Sequence, residues 1–526
     1  MERPPAAERG AASPARLRRL VPCLLVALWA ALYLAAARRA AGEFGFPLDD
    51  AWIHARMARN LAGGAGMAFN PGSPAATATA PLWTLLLAVP AAAGVPFPWA
   101  SCAAGVLATA LLAWLTVRLL ERGGSDGTTA CLAGIVMVST HPFPWAAVSG
   151  MEAPLAASLV VAILCLGPAR RPVVCLLMAG LAALARPELL LLPGLVLADL
   201  GIRAGSGWRR RTLFMTPLAA AVSCAPLLLN RVLSGSWLPG ALAAKVGRHG
   251  VLAALAAGRP DQILPVVASN LPGYLASFLG ALASDNLALL LLAPFGIARL
   301  ARGERGSHLP WMLLLVQPCA MAILAPFGGL AFHEQRYIAP LVALMAVAGG
   351  AALAAIPGLG RRGPWLRLGA GTALLVVSTF GAWKGMARFA VEVANITRMQ
   401  VTVARWLQAQ PGGPGLVATN DIGAIGFFTG APILDTTGLA SPEVLPYLHR
   451  PAAPGAPTRG WNGANEAALL EFLAARRPRY VALFPSWYPS LTRSGALGEP
   501  VYRVDLQDNL ICGDRTMLVF RPAWSS

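Results

Sequence analysis

From residue 20 to about 387 the chain is a series of Leu, Ala and Val runs separated by short polar clusters, whereas residues 388–526 have mixed polarity. Uninterrupted apolar runs approaching 20 residues are what a helix needs to cross a bilayer. The runs at 20–37, 98–118, 128–146, 152–168, 172–186, 188–203, 212–230, 285–301, 309–330, 337–356 and 368–387 predict about 11 transmembrane helices. Two further apolar stretches, 81–97 and 263–283, are broken by Pro90, Gly94 and Pro96 and by Pro272 and Gly273, and are expected to be interfacial or re-entrant helices. After 388 the pattern changes to short β-like runs, GLVAT (415–419), PILDT (432–436), RYVALF (479–484) and TMLVF (516–520), with one helix-like stretch, NEAALLEFLAARR. That mixture predicts an α/β domain.

Composition strengthens the membrane reading. Hydrophobic residues make up 56% of the 526 and charged residues only 13%, about half the charge of a soluble globular chain. The net charge of +18 would ordinarily suggest nucleic acid, but the only lysines are Lys245 and Lys384 and the arginines cluster between apolar runs. They read as topology signals. Arg16, Arg18 and Arg19 precede the first run as in a signal peptide, yet the run continues to Ala37 and into Arg38 and Arg39, which predicts an uncleaved first span. Seven of the eight cysteines lie in or beside apolar runs and only Cys512 in the polar domain, which gives neither a disulfide framework nor a zinc spacing.

With the amino-terminal tail (1–19) in the cytoplasm, alternate connections carry Arg118 and Arg122, Arg170 and Arg171, Arg203 with Arg209 to Arg211, Arg299 with Arg302 and Arg305, and Arg361 with Arg362 and Arg367. This satisfies the positive-inside rule, with Arg38 and Arg39 as the exception. An odd number of spans in the region 20–387 then places 388–526 outside the cytoplasm. The outer face collects the loops 38–97, a turn near Ser149 to Glu152, Arg186 to Glu188, 231–284 and 331–336.

The candidate chemistry gathers on that face. Asp49 and Asp50 open LDDAWIHARMARN, a short amphipathic helix on which Asp50 and His54 share a face. One aspartate could act as general base toward an acceptor hydroxyl; the plainer alternative is an acidic helix start paired with Arg56 or Arg59. Glu152 and Glu188 each stand beside a proline where a span begins, and fit either helix-start acids or ligands for hydroxyls or a cation. Arg186, Arg231, Lys245 and the group His333, Glu334, Arg336 supply the few outer cations, which suit a lipid phosphate or interfacial snorkelling. No two histidines have metal-ligand spacing. The loop Asp421-Ile422-Gly423-Ala424-Ile425-Gly426 follows a β-like run, but as an incomplete nucleotide motif outside the cytoplasm it reads as turn glycines.

Seven segments in order carry a family resemblance: LDDAWIHARMARNLAGGAGMAFNPG, APLWTLLLA, SGMEAPL, LARPELLLL, GSWLPGALAAK, RYIAPL and NDIGAIGFFTGAPILDTTGLASPEV. Together they resemble bacterial polyprenyl-phosphate-dependent membrane glycosyltransferases of the GT-C superfamily, especially the branch of the actinobacterial terminal arabinofuranosyltransferase. The resemblance covers most of the chain. It implies an α-helical polytopic GT-C fold with a C-terminal extracytoplasmic α/β domain, located in the plasma membrane. It also implies an inverting transfer from a polyprenyl-phosphate sugar to an envelope glycan, lipid or protein, with Asp49 or Asp50 as base. His54, Glu152, Arg186, Glu188, Lys245, His333 and Arg336 are then candidate contacts for donor phosphate or acceptor. No cofactor beyond the lipid-linked donor is expected, and the need for a divalent cation stays open.

Two segments depart from that pattern. Relatives usually have an aromatic or Asn and then Thr-Ser before Pro-Leu-Trp, where this chain has Ala76-Thr77-Ala78-Thr79-Ala80. Gly and Ala also replace polar residues in Leu238-Pro239-Gly240-Ala241-Leu242-Ala243-Ala244-Lys245. Arabinofuranose is therefore one donor sugar among several. A lipid or glycan transporter would place ionisable groups at the membrane midplane, and a non-catalytic glycan-binding protein would rely on the distal domain; acids gathered on the outer face favour transfer.

Overall fold

The structure is a computed structural model that describes residues 14–73, 77–203, 208–237, 240, 251–256, 258–302, 306–324, 333–356, 362–450 and 464–524. The apolar half forms helices α1 (Pro14–Ala41), α2 (Asp49–Ala62), α3 (Pro81–Ala92), α4 (Phe97–Arg122), α5 (Gly127–Ser139), α6 (Phe143–Val148), α7 (Ala153–Leu166) and α8 (Pro172–Ala185). It continues with α9 (Leu192–Arg203), α10 (Trp208–Ser234), α11 (Ile263–Ala301), α12 (Leu309–Leu324), α13 (Ala339–Ala355) and α14 (Gly363–Ile396). Among the described residues, five helical stretches are long and apolar enough to cross a membrane by length and composition; six other apolar helices have 10–17 residues. The run expected at 128–146 is divided into α5 and α6, with the turn Thr140 to Pro142 between them.

One sequence expectation changes. The stretches 263–283 and 285–301 form two helical segments of the 39-residue α11 that meet at a kink, where Asn286 leaves helical geometry (φ −136°). The compositional change near 388 falls inside a helix. Helix α14 runs through a turn of π-helix at Thr397–Val401 straight into α15 (Thr402–Gln408). Arg38 and Arg39, anomalous as topology signals, lie in the last turn of α1, where cations complement the helix dipole.

Small residues set how closely the helices approach. A Cβ at Gly296 would fall 1.7 Å from the carbonyl oxygen of Ala348, so α11 and α13 pack with backbones almost touching. A Cβ at Gly105 would lie 2.4 Å from the oxygen of Ala147, tying α4 against α6. Most of α13 is buried, and it lies among α5, α7 and α11. Leu107, Leu213, Val232, Phe295 and Phe380 point outward, as lipid-facing positions of a membrane helix would.

Beyond α15 a five-stranded sheet contains β1 (Val417–Thr419), β2 (Ile433–Asp435), β3 (Tyr480–Leu483), β4 (Pro500–Asp505) and β5 (Thr516–Phe520) in the order β2-β1-β3-β5-β4. Strands β2, β1 and β3 are parallel, and β5 and β4 are added antiparallel. Helix α16 (Gly423–Thr429) connects β1 to β2, and α17 (Glu466–Arg476) precedes β3. The sequence missed β4 because it is a polar edge strand: Arg503 pairs with Asp505 and four of its six residues are exposed.

Candidate functional site

Helix α2 stands between two different surroundings because adjacent residues on a helix differ by about 100° in direction. One face carries Asp49, Trp52, Ile53 and Arg56 and packs on α16. Asp49 accepts the backbone N–H of Gly423 (2.6 Å) on one carboxylate oxygen and that of Ala424 (2.7 Å) on the other, so it caps the start of α16 from a distant part of the chain. Arg56 is buried and donates to the carbonyls of Phe69 (2.7 Å), Gly426 (2.5 Å) and Ala431 (2.7 Å) and to Asn70 Oδ1 (3.2 Å). Trp52 packs against Phe427 and Phe428, with ring centroids 5.0 and 4.7 Å away.

This contact explains the glycines of the Asp421–Gly426 loop. Gly423 and Gly426 are helical rather than turn residues. A Cβ at Gly423 would lie 2.0 Å from the carbonyl oxygen of Asp49, and one at Gly426 would lie 2.7 Å from the Arg56 guanidinium. The expectation of turn glycines is corrected: close approach of α2 demands them. The proposed pairing of Asp49 with Arg56 is also replaced, since both side chains bind the backbone of α16 and its flanks.

The opposite face carries Asp50 and His54. Asp50 pairs with Arg336 at 2.5 Å and remains 35% exposed. Arg336 also donates to the Tyr337 hydroxyl (3.1 Å), and the Arg336 and Arg186 guanidinium groups lie 5.0 and 4.9 Å from the Tyr337 ring centre. Arg186 binds Glu152 at 2.5 Å and takes Glu188 in a two-point pair at 2.8 and 3.1 Å. Glu152 in turn faces His54 Nε2 at 3.7 Å, while His54 Nδ1 meets Thr84 Oγ1 at 2.9 Å. Acids and bases therefore alternate around one enclosed patch, Asp50–Arg336–Tyr337–Arg186–Glu152–His54. Such an arrangement suits a ligand that bears both anionic charge and hydroxyls.

Two buried atoms in the patch have no hydrogen-bond partner: Arg336 Nε and Glu152 Oε2. A buried polar atom without a partner costs about 1–3 kcal/mol, which points to an external partner. Burial pushes His54 below its ordinary range, so its imidazole is neutral and serves as a hydrogen-bonding group. Burial and then Asp421 push Asp49 well up, against the two N–H groups that favour its charge. For Asp421 burial is again the main cause, with Asp50 and Asp435 adding to it, and its carboxyl is pushed up to about 7.

Of the residues singled out from sequence, Asp50, His54, Glu152, Arg186, Glu188 and Arg336 come together in this patch. Asp49 turns away from it. His333 begins three consecutive residues with left-handed backbone, His333, Glu334 and Gln335 (φ 49°, 56° and 58°), so the chain is strained immediately before Arg336. Glu334 leads elsewhere, to Arg388 (2.6 Å) and His141 (3.3 Å). Lys245 lies outside the described residues. Tyr337, Thr84 and Gln400 were not found from sequence, with only Tyr337, next to Arg336, carrying a local hint; Asp421 was seen as the start of the Asp421–Gly426 loop but not as a site residue. Among the described residues no three His, Cys, Asp or Glu side chains form a metal-binding group.

The fold has counterparts among solved structures. ArnT of Cupriavidus metallidurans, bound to undecaprenyl phosphate, superposes with a TM-score of 0.54 at 13% identity, covering 95% of this chain and 98% of that one. The Archaeoglobus fulgidus oligosaccharyltransferase with zinc and sulfate gives 0.52 at 16% identity, covering 87% and 67%. The archaeal oligosaccharyltransferase AglB bound to an inhibitory peptide and a dolichol-phosphate gives 0.52 at 14%, covering 88% and 69%. These likenesses show the fold: this chain is built like ArnT and the archaeal oligosaccharyltransferases. Residues 394–520 match a family described as a domain of unknown function, DUF8728. No curated protein sequence matches the chain.

Proposed function

We propose that this protein is an inverting glycosyltransferase that moves a sugar from a polyprenyl-phosphate donor to a cell-envelope glycan, lipid or protein at the outer face of the membrane. The observation that carries this reading is the patch in which half-exposed Asp50 lies against Arg336, with Arg186, Tyr337, Glu152 and His54 behind it. Support for a lipid-phosphate ligand comes from the fold: two neighbouring structures are complexes with undecaprenyl phosphate and a dolichol-phosphate.

In this reading the donor phosphate takes the open Nε of Arg336, close to the charge of Arg186, and the two cations stabilise the negative charge that grows as the sugar–phosphate bond breaks. Phosphate competes with Asp50 for Arg336. Donor binding thereby loosens the ion pair and releases the Asp50 carboxylate to take the proton from the attacking acceptor hydroxyl. Asp50 is preferred to Asp49 as base because both oxygens of Asp49 are engaged by α16. Glu152, held by Arg186, and neutral His54 remain to receive sugar hydroxyls. Arabinofuranose is the donor sugar suggested by the family resemblance.

The decisive measurement is sugar release from a synthetic polyprenyl-phosphate sugar by purified protein in lipid. Asp50→Asn is expected to lower the rate by about 10²–10⁴, the usual contribution of a positioned base. A rate within a factor of three of wild type would remove Asp50 from the mechanism.

A further inference from the structure

The distal sheet brings one carboxyl within electrostatic range of Asp50. Asp421 follows β1 at the carboxyl end of the parallel strands β2, β1 and β3. The connection from β1 to β2 leaves on one side and the chain returns to β3 on the other, and in such sheets ligands bind outside the strand ends at that point of reversal. The same edge meets α2, because Asp49 holds the N–H groups of Gly423 and Ala424, two and three residues after Asp421. Asp421 consequently lies close enough to influence the charge of both Asp49 and Asp50.

The nearby acids differ in what is left for a ligand. Asp435, the last residue of β2, is fully buried and saturated by the N–H groups of Thr437 and Ala440 and the Thr437 hydroxyl. Asp49 is saturated as described. Asp421 stays partly exposed, and among the described residues its carboxylate has one hydrogen bond, from Gln400 Nε2 to Oδ2 at 2.5 Å. Gln400 is itself fully buried within the π-helical turn that joins α14 to α15, a local irregularity that often marks a functional position.

A second, independent feature sits beside it. Asn420 is 5% exposed; its Oδ1 accepts the N–H of Phe484 at the end of β3 (3.0 Å), while its buried Nδ2 has no hydrogen-bond partner. A buried amide donor left open in the residue before a carboxylate that holds a single hydrogen bond offers a complementary pair for a hydroxyl, which both donates and accepts.

We propose that Asp421 is an acceptor-binding carboxyl: it takes one hydroxyl of a polyhydroxylated acceptor while a neighbouring hydroxyl of the same sugar is presented to Asp50. The distal domain thus completes the site and selects a glycan acceptor over a hydroxyl-bearing peptide or a simple lipid alcohol. This rests on Asp50 marking the reacting position, as proposed above.

Binding without turnover tests it. The purified full chain in nanodiscs is probed with octyl α-D-arabinofuranoside and octyl α-D-mannopyranoside by saturation-transfer NMR. Wild type is expected to transfer saturation to the sugar-ring protons of at least one probe, and Asp421→Asn and Asp421→Ala to weaken its binding about tenfold or more. Unchanged ring contact in both Asp421 variants, or wild-type contact confined to the octyl chain, would overturn the proposal. Asp421→Glu, retaining the carboxylate, should recover part of the binding, whereas loss of binding in all three variants with lowered melting midpoints would mean a structural role and also overturn it. Ring binding that depends on Asp421, in a protein that releases no sugar from lipid-phosphate donors, would defeat the transferase reading and leave this one standing.

Discussion

Asp49 and Asp50 are adjacent in sequence and chemically identical, yet one turns toward the distal domain and the other toward the charged patch. Asp49→Asn is expected to keep sugar release within about tenfold of wild type, in contrast to Asp50→Asn, because its carboxylate serves α16 rather than the acceptor. Asp421 adds a pH signature. Its carboxyl is pushed from the ordinary 3.8 to about 7, so between these values the folded protein holds a proton that the unfolded chain has released. Its contribution to stability is complete below about pH 4 and is lost as the pH rises through 7. The melting midpoint of Asp421→Asn should therefore match wild type at pH 4 and exceed it at pH 8; a gap that widens toward acid would contradict the assignment.

Helix α2 is the element on which both environments depend. Its docking to α16 rests on Arg56, a buried cation with four hydrogen-bond acceptors. Arg56→Met leaves the Gly426 and Ala431 carbonyls without their donor and should destabilise the protein by about 3–5 kcal/mol, as breaking a buried charged network does. Thermal unfolding with limited trypsin digestion of residues 409–526 reads this, and an unchanged digestion pattern would refute it. The α11–α13 contact makes a parallel prediction. Gly296→Val must force the helices apart, and by overpacking should cost about 1–3 kcal/mol, seen as a lower melting midpoint and a lower yield of folded protein. Periodicity predicted that α2 is amphipathic and that Asp50 and His54 share a face. It also read Arg56 as a polar surface residue, because a helical pattern marks a polar face without saying whether water or a second domain covers it.

For the whole molecule, arginine placement still argues for an extracytoplasmic distal domain, and a reporter fused after Ser526 is expected to be active only outside the cytoplasm. Cytoplasmic activity would reverse the orientation. Such an orientation puts Asp50, the patch behind it and the strand ends carrying Asp421 on one side of the membrane.

The order of apolar runs determined by itself that the chain is a polytopic helical membrane protein followed by a small sheet, because burial of apolar surface and backbone satisfaction in lipid leave few alternatives. Four of the five strands were legible as buried β-rich runs; edge strand β4 was not, since four of its six residues face water. Outer-loop position also brought Glu152, Arg186, Glu188 and Arg336 forward as candidates, because a charge retained at a span end in so apolar a chain needs a reason. The tertiary structure alone decided which aspartate faces the patch and why Gly423 and Gly426 are glycines. Those facts depend on contacts between residues 286 to 375 positions apart, which local periodicity does not encode.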